Sequence, residues 1–267
     1  MTKIIAEIGW NHMGNIEIAK KMIKQAKLNG ADFVKTQVFD VKYLSRGPWD
    51  NDGRKEIYRK AQINESKYRI LNNYSKKIGI NFFASIVNRV GADMIKKIDN
   101  SIIKIPSANN RNYSLIKYCL KNFKKVIVSL GALKFDEIKF ISKLNKNKLI
   151  LLHCVSTYPC EFEEINLRKI KKIQSIHKYV GFSDHTKDIH ASVLSLKYKP
   201  IYIEKHFTID KKLPGRDNKL SILPQDLKRL RKYIDINNIL EKSLSFNYHK
   251  NEEIIRKIYS KRWLEKF

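Results

Sequence analysis

Two histidines and two lysines are the residues of this chain best suited to chemistry. His185 and His206 come at or just after two apolar runs that are successive in the sequence, and Lys35 and Lys104 end earlier apolar runs. Two imidazoles completed by oxygen ligands suit Mn²⁺, Fe²⁺ or Zn²⁺. A lysine ammonium is a point charge that binds phosphate or carboxylate. Together these residue types indicate a divalent metal beside a small anion.

Hydroxyl and carboxyl side chains occupy similar places after other apolar runs. The hydroxyls could donate hydrogen bonds to the same anion, and they belong to Ser85, Ser107, Ser129 and Ser183. Glu7 and Asp217 are candidates for a base or for an acceptor of substrate hydroxyls. Taken singly, each residue has an ordinary structural explanation. Their shared position at the ends of apolar runs is what favours a common pocket.

The elements that must position these residues follow a simple alternation. Eight short apolar runs begin at Ile4, Phe33, Asn81, Ile102, Val126, Leu149, Tyr179 and Ile201. Such continuous runs are typical of buried parallel strands. Amphipathic helical patterns separate them at residues 16–28, 65–77, 91–98, 113–121, 135–144, 165–176, 189–196 and 224–240. This alternation predicts an α/β fold, a (β/α)8 TIM barrel, in which all candidate residues share the carboxyl-end face.

Length and composition fit this architecture. The chain has 267 residues, of which 43% are hydrophobic and 30% charged. We expect one catalytic barrel over residues 1–242, followed by a basic C-terminal tail or linker over residues 243–267. No apolar run reaches the roughly 20 residues of a membrane helix, and Glu7 comes too early for a signal peptide. A cytoplasmic protein with no membrane contact is therefore expected.

The net charge of +28 raises the question of a polyanionic partner. The lysines are scattered through the whole chain, and the sequence has no arginine-rich tail, zinc motif or RNP-like aromatic strand. We therefore expect no nucleic-acid partner. The alternative, a polyanion-binding protein, would show salt-sensitive binding that is indifferent to His206→Ala. Three cysteines without a CxxC pair argue against a disulfide framework.

Residues 40–63 interrupt the alternation. This long connection carries the turn signals GPW at 47–49 and NDG at 51–53. Long structured connections in compact domains are often lids or binding loops. We therefore expect this segment to border the pocket.

Seven stretches resemble, in chain order, motifs of the N-acetylneuraminate (sialic acid) synthase family. They are IAEIGWNHMG (5–14), GADFVKTQ (30–37), KIPS (104–107), LHCVSTYP (152–159), GFSDHT (181–186), EKHFT (204–208) and LPGRD (213–217). The matches extend over nearly the whole chain, which makes the resemblance far more specific than a single short motif.

The resemblance implies a reaction and assigns roles. Family members add C3 of phosphoenolpyruvate to the open-chain aldehyde of an N-acylmannosamine or its 6-phosphate; water adds at C2, and phosphate leaves. His185 and His206 then hold a divalent metal, for which Mn²⁺ is expected and Mg²⁺ or Co²⁺ are alternatives. Glu7 lies near the reacting centre. Phosphoenolpyruvate contacts fall on Lys35, Ser85, Lys104, Ser107, Ser129 and Ser183, and sugar contacts fall on Tyr158 and Asp217.

Three positions depart from the family pattern. Asn109 stands where many members have an acidic residue toward the sugar, Ser156 where bacterial members often have Asn, and Leu130 where Thr is common. Asn109 and Ser156 are kept as substrate-binding candidates. Because an amide cannot act as a carboxylate, a legionaminic, pseudaminic or related precursor is an alternative sugar.

Partners and alternative functions complete the expectations. Family members usually carry a C-terminal antifreeze-like domain that reaches over the partner's site in a homodimer. We expect a homodimer here, with that domain supplied by a separate chain or absent. Two alternatives remain: another phosphoenolpyruvate-dependent 3-deoxy-sugar-acid synthase, distinguished by its acceptor, and a degenerate, non-catalytic barrel that serves as a scaffold and shows no turnover.

Overall fold

Eight parallel strands close into a barrel, and each strand pairs with its neighbours in sequence. β1 and β8 close the ring, with Glu7 opposite His206. The strands are β1 Lys3–Gly9, β2 Phe33–Val38, β3 Asn81–Ile86, β4 Ile102–Ile105, β5 Lys125–Ser129, β6 Leu149–His153, β7 Val180–Asp184 and β8 Tyr202–His206. The computed structural model describes residues 1–242, 247–259 and 262–263. All eight predicted strands and the predicted TIM barrel are confirmed.

The strands are buried on both faces, which explains their continuous apolar runs. Inside the barrel, a small cluster is formed by Ile5, Phe83, Ile102, Ile127, Ile150 and Leu152. A larger core fills the space between the strands and the surrounding helices. Because successive strand residues point to opposite faces, the same alternation decides which polar residues near the strand ends enter the barrel.

Eleven α-helices lie among the described residues. They are α1 Ile16–Leu28, α2 Arg54–Ala61, α3 Glu65–Ile78, α4 Arg89–Lys96, α5 Tyr113–Asn122, α6 Phe135–Ser142, α7 Phe162–Ile165, α8 Arg168–Gln174, α9 His190–Ser195, α10 Pro224–Leu240 and α11 Glu253–Lys257. The helix predicted over residues 165–176 is shorter in the structure, where it is α8, and the short helix α7 precedes it. Asn166 between them has a left-handed backbone, with φ of 44°, which ends a right-handed helix.

The long connection after β2 is largely helical. It contains two 3₁₀ turns, Val41–Tyr43 and Pro48–Asp50, and then α2. Tyr58 of α2 stacks on Trp10, the residue that follows β1, with ring centroids 5.0 Å apart. The connection therefore packs against the carboxyl end of the barrel, as expected for a segment that borders the pocket.

The predicted tail is described only in part. A 3₁₀ turn at Lys250–Glu252 leads into α11, and apolar side chains such as Ile254 and Ile258 are exposed there. Residues 243–246, 260–261 and 264–267 of the predicted tail lie outside the described residues. Within the described ranges, no helix combines the length and the apolar character that a membrane crossing requires.

Candidate active site

Strand register brings the predicted lysines and their neighbours to one end of the barrel. Glu7 of β1 lies opposite Lys35 of β2, and Ser85 of β3 lies opposite Lys104 of β4. On the far side of the ring, Ser183 of β7 lies opposite Glu204 of β8. These residues come from six strands spread along the chain, and barrel closure places them around a single axis.

Two lysines and two glutamates form a buried charged cluster, here called the Lys–Glu cluster: Glu7, Lys35, Lys104 and Glu204. Lys35 forms an ion pair with Glu7 and lies 3.8 Å from Glu204 Oε1. Lys104 Nζ lies 2.5 Å from the same Glu204 oxygen. No side chain of the cluster is more than 5% exposed. The two positive charges are thus balanced by two negative charges inside the protein.

The two lysines hold Glu204 in its ionised form. Burial alone would raise the pKa of Glu204, but the ammonium groups of Lys104 and Lys35 outweigh burial and lower it to about 2. Burial lowers the pKa of Lys104, and Glu204 opposes that change. Glu204 is therefore the anion that compensates the two lysines. Glu7 also accepts a hydrogen bond from Gln37 Nε2 at 3.1 Å, which fixes its second oxygen.

The two predicted metal ligands lie beside each other. The rings of His185 and His206 have centroids 5.6 Å apart. His185 Nδ1 donates to the carbonyl of Val155 at 2.5 Å, and His206 Nδ1 lies 3.7 Å from Asp217 Oδ2. Burial, aided by His206, lowers the pKa of His185 to about 3, so this imidazole is neutral at pH 7. The neutral form is the one that binds metals.

This pair fits a metal ion by the chemistry of its donors. His185 Nδ1 donates to a protein carbonyl, and an imidazole fixed in this way presents Nε2 as a ligand. His206 Nδ1 lies 3.7 Å from the Asp217 carboxylate without a hydrogen bond to it. Among the described residues there is no group of three or more His, Cys, Asp or Glu side chains arranged to hold a metal. Any ion here would therefore depend on these two imidazoles together with oxygen ligands from substrate or water.

The side chains of Ser107, Cys154 and Ser156 lie around Gly131, which closely follows β5, and are here called the wall. A Cβ atom on Gly131 would lie 2.7 Å from Ser107 Oγ and 3.0 Å from Cys154 Sγ, and it would collide with Ser156 Oγ. Ser107 and Ser156 are therefore brought together only because residue 131 lacks a side chain. Asn110 donates to the carbonyls of Ser129 and Gly131 at 3.0 and 2.8 Å, which holds the wall in place.

The remaining predicted residues lie toward the rim. The ring of Tyr158, which is half exposed, lies 4.2 Å from the ring of His185. Asp217 accepts a hydrogen bond from Trp10 Nε1 beside His206. The side-chain amide of Asn109 donates to the carbonyl of Val87 at 2.9 Å. The Asn109 amide therefore already has a backbone partner.

Sequence reasoning did not assign four residues that the structure places in or beside the pocket: Gln37, Cys154, Glu204 and Trp10. Gln37 and Glu204 stand two positions from Lys35 and His206, so the two-residue strand period could have found them. Conversely, His153 is a strand-end histidine with a structural role. Its Nε2 donates a hydrogen bond to the carbonyl of Ile165 at 2.8 Å, and its ring stacks on Phe182.

Fold and site define a TIM-barrel protein whose carboxyl-end pocket combines buried lysines, hydroxyls and a histidine pair. The model of the NeuB family matches residues 22–244, so the chain belongs to the NeuB family. An uncharacterized protein of Methanocaldococcus jannaschii is 37% identical over 89% of this chain and 70% of its own length. The N,N'-diacetyllegionaminic acid synthase of Campylobacter jejuni is 35% identical over 86% of this chain and 74% of its own length.

A solved structure agrees with these relatives. The N-acetylneuraminic acid (sialic acid) synthetase of Leptospira borgpetersenii, solved in complex with citrate, superposes with a TM-score of 0.85 at 30% identity. The match covers 97% of this chain and 93% of that one. The sequence-based assignment to the sialic acid synthase family is therefore confirmed.

Proposed function

We propose that this protein condenses phosphoenolpyruvate with an N-acylmannosamine-like amino-sugar aldehyde, releasing phosphate and giving a nonulosonic acid. The observation that carries the proposal is the meeting of the Lys–Glu cluster and the histidine pair at one end of the barrel. The legionaminic and sialic acid synthases among the relatives support the same reaction class.

The Lys–Glu cluster would receive the phosphoenolpyruvate. Lys35 and Lys104 supply two positive charges in a region that excludes water, where electrostatic interactions are strong. Glu204 faces both ammonium groups before the substrate arrives. The hydroxyls of Ser85, Ser107, Ser129 and Ser183 would donate to the substrate's phosphate and carboxylate oxygens. Glu7, held by Lys35 and Gln37, is positioned to handle a proton near the reacting carbon.

The histidine pair would hold a divalent cation, with Mn²⁺ favoured and Mg²⁺ or Co²⁺ as alternatives. When bound, such an ion polarises a carbonyl oxygen as a Lewis acid. Neutral His185, fixed by the Val155 carbonyl, is ready to bind it without losing a proton. Tyr158, Asp217 and Ser156 would orient the sugar beside this ion.

The acceptor sugar is the finer part of the proposal. The neutral, backbone-bonded Asn109 offers no carboxylate at the rim, which favours an acceptor modified relative to N-acetylmannosamine, such as a legionaminic acid precursor. A cytoplasmic homodimer completed by an antifreeze-like domain belongs to the same proposal, and it rests on the family resemblance alone.

The test is phosphate release from phosphoenolpyruvate by purified, metal-stripped protein, with added Mn²⁺ and a panel of N-acylated hexosamines. We expect release that requires both a sugar and the metal and is lost in His206→Ala. His190→Ala is the matched control, because His190 is an exposed surface histidine. Release that persists in His206→Ala would contradict the proposal, and so would phosphoenolpyruvate binding without turnover for every sugar, with or without an added antifreeze-like domain.

A further inference from the structure

The segment after β1 is fastened to the segment after β8 by buried amides. Asn11 Nδ2 donates to the carbonyl of Phe207 and to Ser221 Oγ, both at 2.9 Å. In return, Asn218 Nδ2 donates to the carbonyl of Asn11 at 3.1 Å. Asn11 and Asn218 are almost completely buried. The backbone next to Trp10 is therefore fixed relative to the turn that carries Asp217.

Trp10 itself is held on more than one side. One ring face stacks on Tyr58 of α2, with centroids 5.0 Å apart and planes 20° from parallel. Phe39 meets the ring edge-on at 6.3 Å. The indole N–H of Trp10 donates to Asp217 Oδ2. An aromatic ring enclosed in this way has little freedom, so its N–H is a fixed donor aimed at one carboxylate oxygen.

The same carboxylate oxygen faces a histidine that the proposed function uses. Asp217 Oδ2 lies 3.7 Å from His206 Nδ1. Across the described residues, that buried nitrogen has no hydrogen-bond partner. A carboxylate next to Nδ1 favours the tautomer with its proton on Nδ1, which leaves Nε2 free to bind a metal.

We propose that Trp10 is a positioning residue that fixes the Asp217 carboxylate, so that Asp217 in turn orients His206 toward a divalent cation. The inference rests on the proposed metal-binding role of the histidine pair. Asp217 then has a structural role in addition to any sugar contact. The connection after β2 is thereby linked to the metal site through Tyr58 and Trp10.

The test is Mn²⁺ binding to the full chain, followed by the loss of the free-ion electron paramagnetic resonance signal, without any sugar present. Removing an outer partner of a metal-bound histidine weakens metal binding by about 10–100-fold. We expect Trp10→Phe, which keeps a ring but removes the N–H, to weaken Mn²⁺ binding by about tenfold. Trp49→Phe is the matched control, because the indole N–H of half-buried Trp49 donates to the Ser45 carbonyl at 2.7 Å, away from Asp217.

A double variant separates positioning from general damage. If Trp10 acts through Asp217, then Trp10→Phe should add little to the loss already caused by Asp217→Asn, since coupled residues are not additive. Wild-type protein that binds no Mn²⁺ would overturn the metal site and this inference with it. Wild-type binding with unchanged affinity in Trp10→Phe, or equal losses in Trp10→Phe and Trp49→Phe, would overturn the inference alone. If Trp10→Phe does not fold, unchanged Mn²⁺ affinity in Asp217→Asn would overturn it.

Discussion

Glu204→Gln is the substitution that tests the Lys–Glu cluster most sharply. Glutamine has nearly the shape of glutamate but carries no charge, so the change removes only the anion that compensates Lys35 and Lys104. Both lysines would then depend on Glu7 alone. Because Glu204 is buried and its carboxylate faces both ammonium groups, the lost interaction is poorly replaced by water.

The size of the effect follows from the acidity of this carboxyl. Burial works against its charged form, yet the lysines bring its pKa from an ordinary 4.5 down to about 2. Each tenfold change in acidity corresponds to about 1.4 kcal/mol, so the charge stabilises the folded protein by about 3 kcal/mol at neutral pH. Since the folded pKa is the lower one, this contribution is present above pH 4.5 and is lost as pH falls toward 2.

The assay is urea unfolding at pH 7, monitored by circular dichroism, for the wild type and two variants. We expect Glu204→Gln to lower the free energy of unfolding by about 3 kcal/mol. Glu241→Gln is the control, because Glu241 pairs with Lys199 on the exposed surface at 2.6 Å and such pairs contribute less than about 1 kcal/mol. Equal stability of Glu204→Gln and wild type would refute the view that Glu204 is the compensating anion.

Three further predictions follow from other buried groups. Burial lowers the pKa of His153 to about 4. The contribution of this neutral imidazole to stability should therefore be complete above pH 6.5 and lost as pH falls toward 4. The urea unfolding midpoint of His153→Asn should fall less steeply over that pH range than that of the wild type. Lys205→Met removes the buried partner that lies 3.1 Å from Asp184 and should destabilise the barrel by about 3 kcal/mol, with a calorimetric melting temperature unchanged from wild type as the contrary result. Gly131→Ala places a methyl group against Ser156 and should reduce phosphate release at least about tenfold, whereas full activity would show that the wall is not used.

The strands could be predicted from the sequence because a buried parallel strand leaves a continuous apolar run. The bounds predicted for α1 and α10 from their apolar faces agree with the structure, where Asn15 caps α1 and Pro224 stands at the start of α10. α2 was not predicted: only Ala61 of its side chains is buried, so no apolar face marks it in the sequence.

The members of the site could be predicted from their place at strand ends, but their pairings could not. Lys104 meets Glu204 across 100 positions of sequence, and Trp10 meets Asp217 across 207. Such pairs depend on strand register and on loop conformation, which the sequence pattern does not encode locally. The sequence therefore indicated free lysines awaiting an anion, whereas the structure shows lysines already balanced by carboxylates.

The most direct test of the central claim is the identity of the product. Protein supplied with Mn²⁺, phosphoenolpyruvate and the accepted sugar would be followed by mass spectrometry alongside phosphate release. The account predicts one product that joins the sugar carbons to the three carbons of pyruvate, formed in equal amount to the phosphate and absent in Lys104→Met. Phosphate accompanied by free pyruvate and unchanged sugar would contradict it, because carbon–carbon bond formation would then not occur at this site.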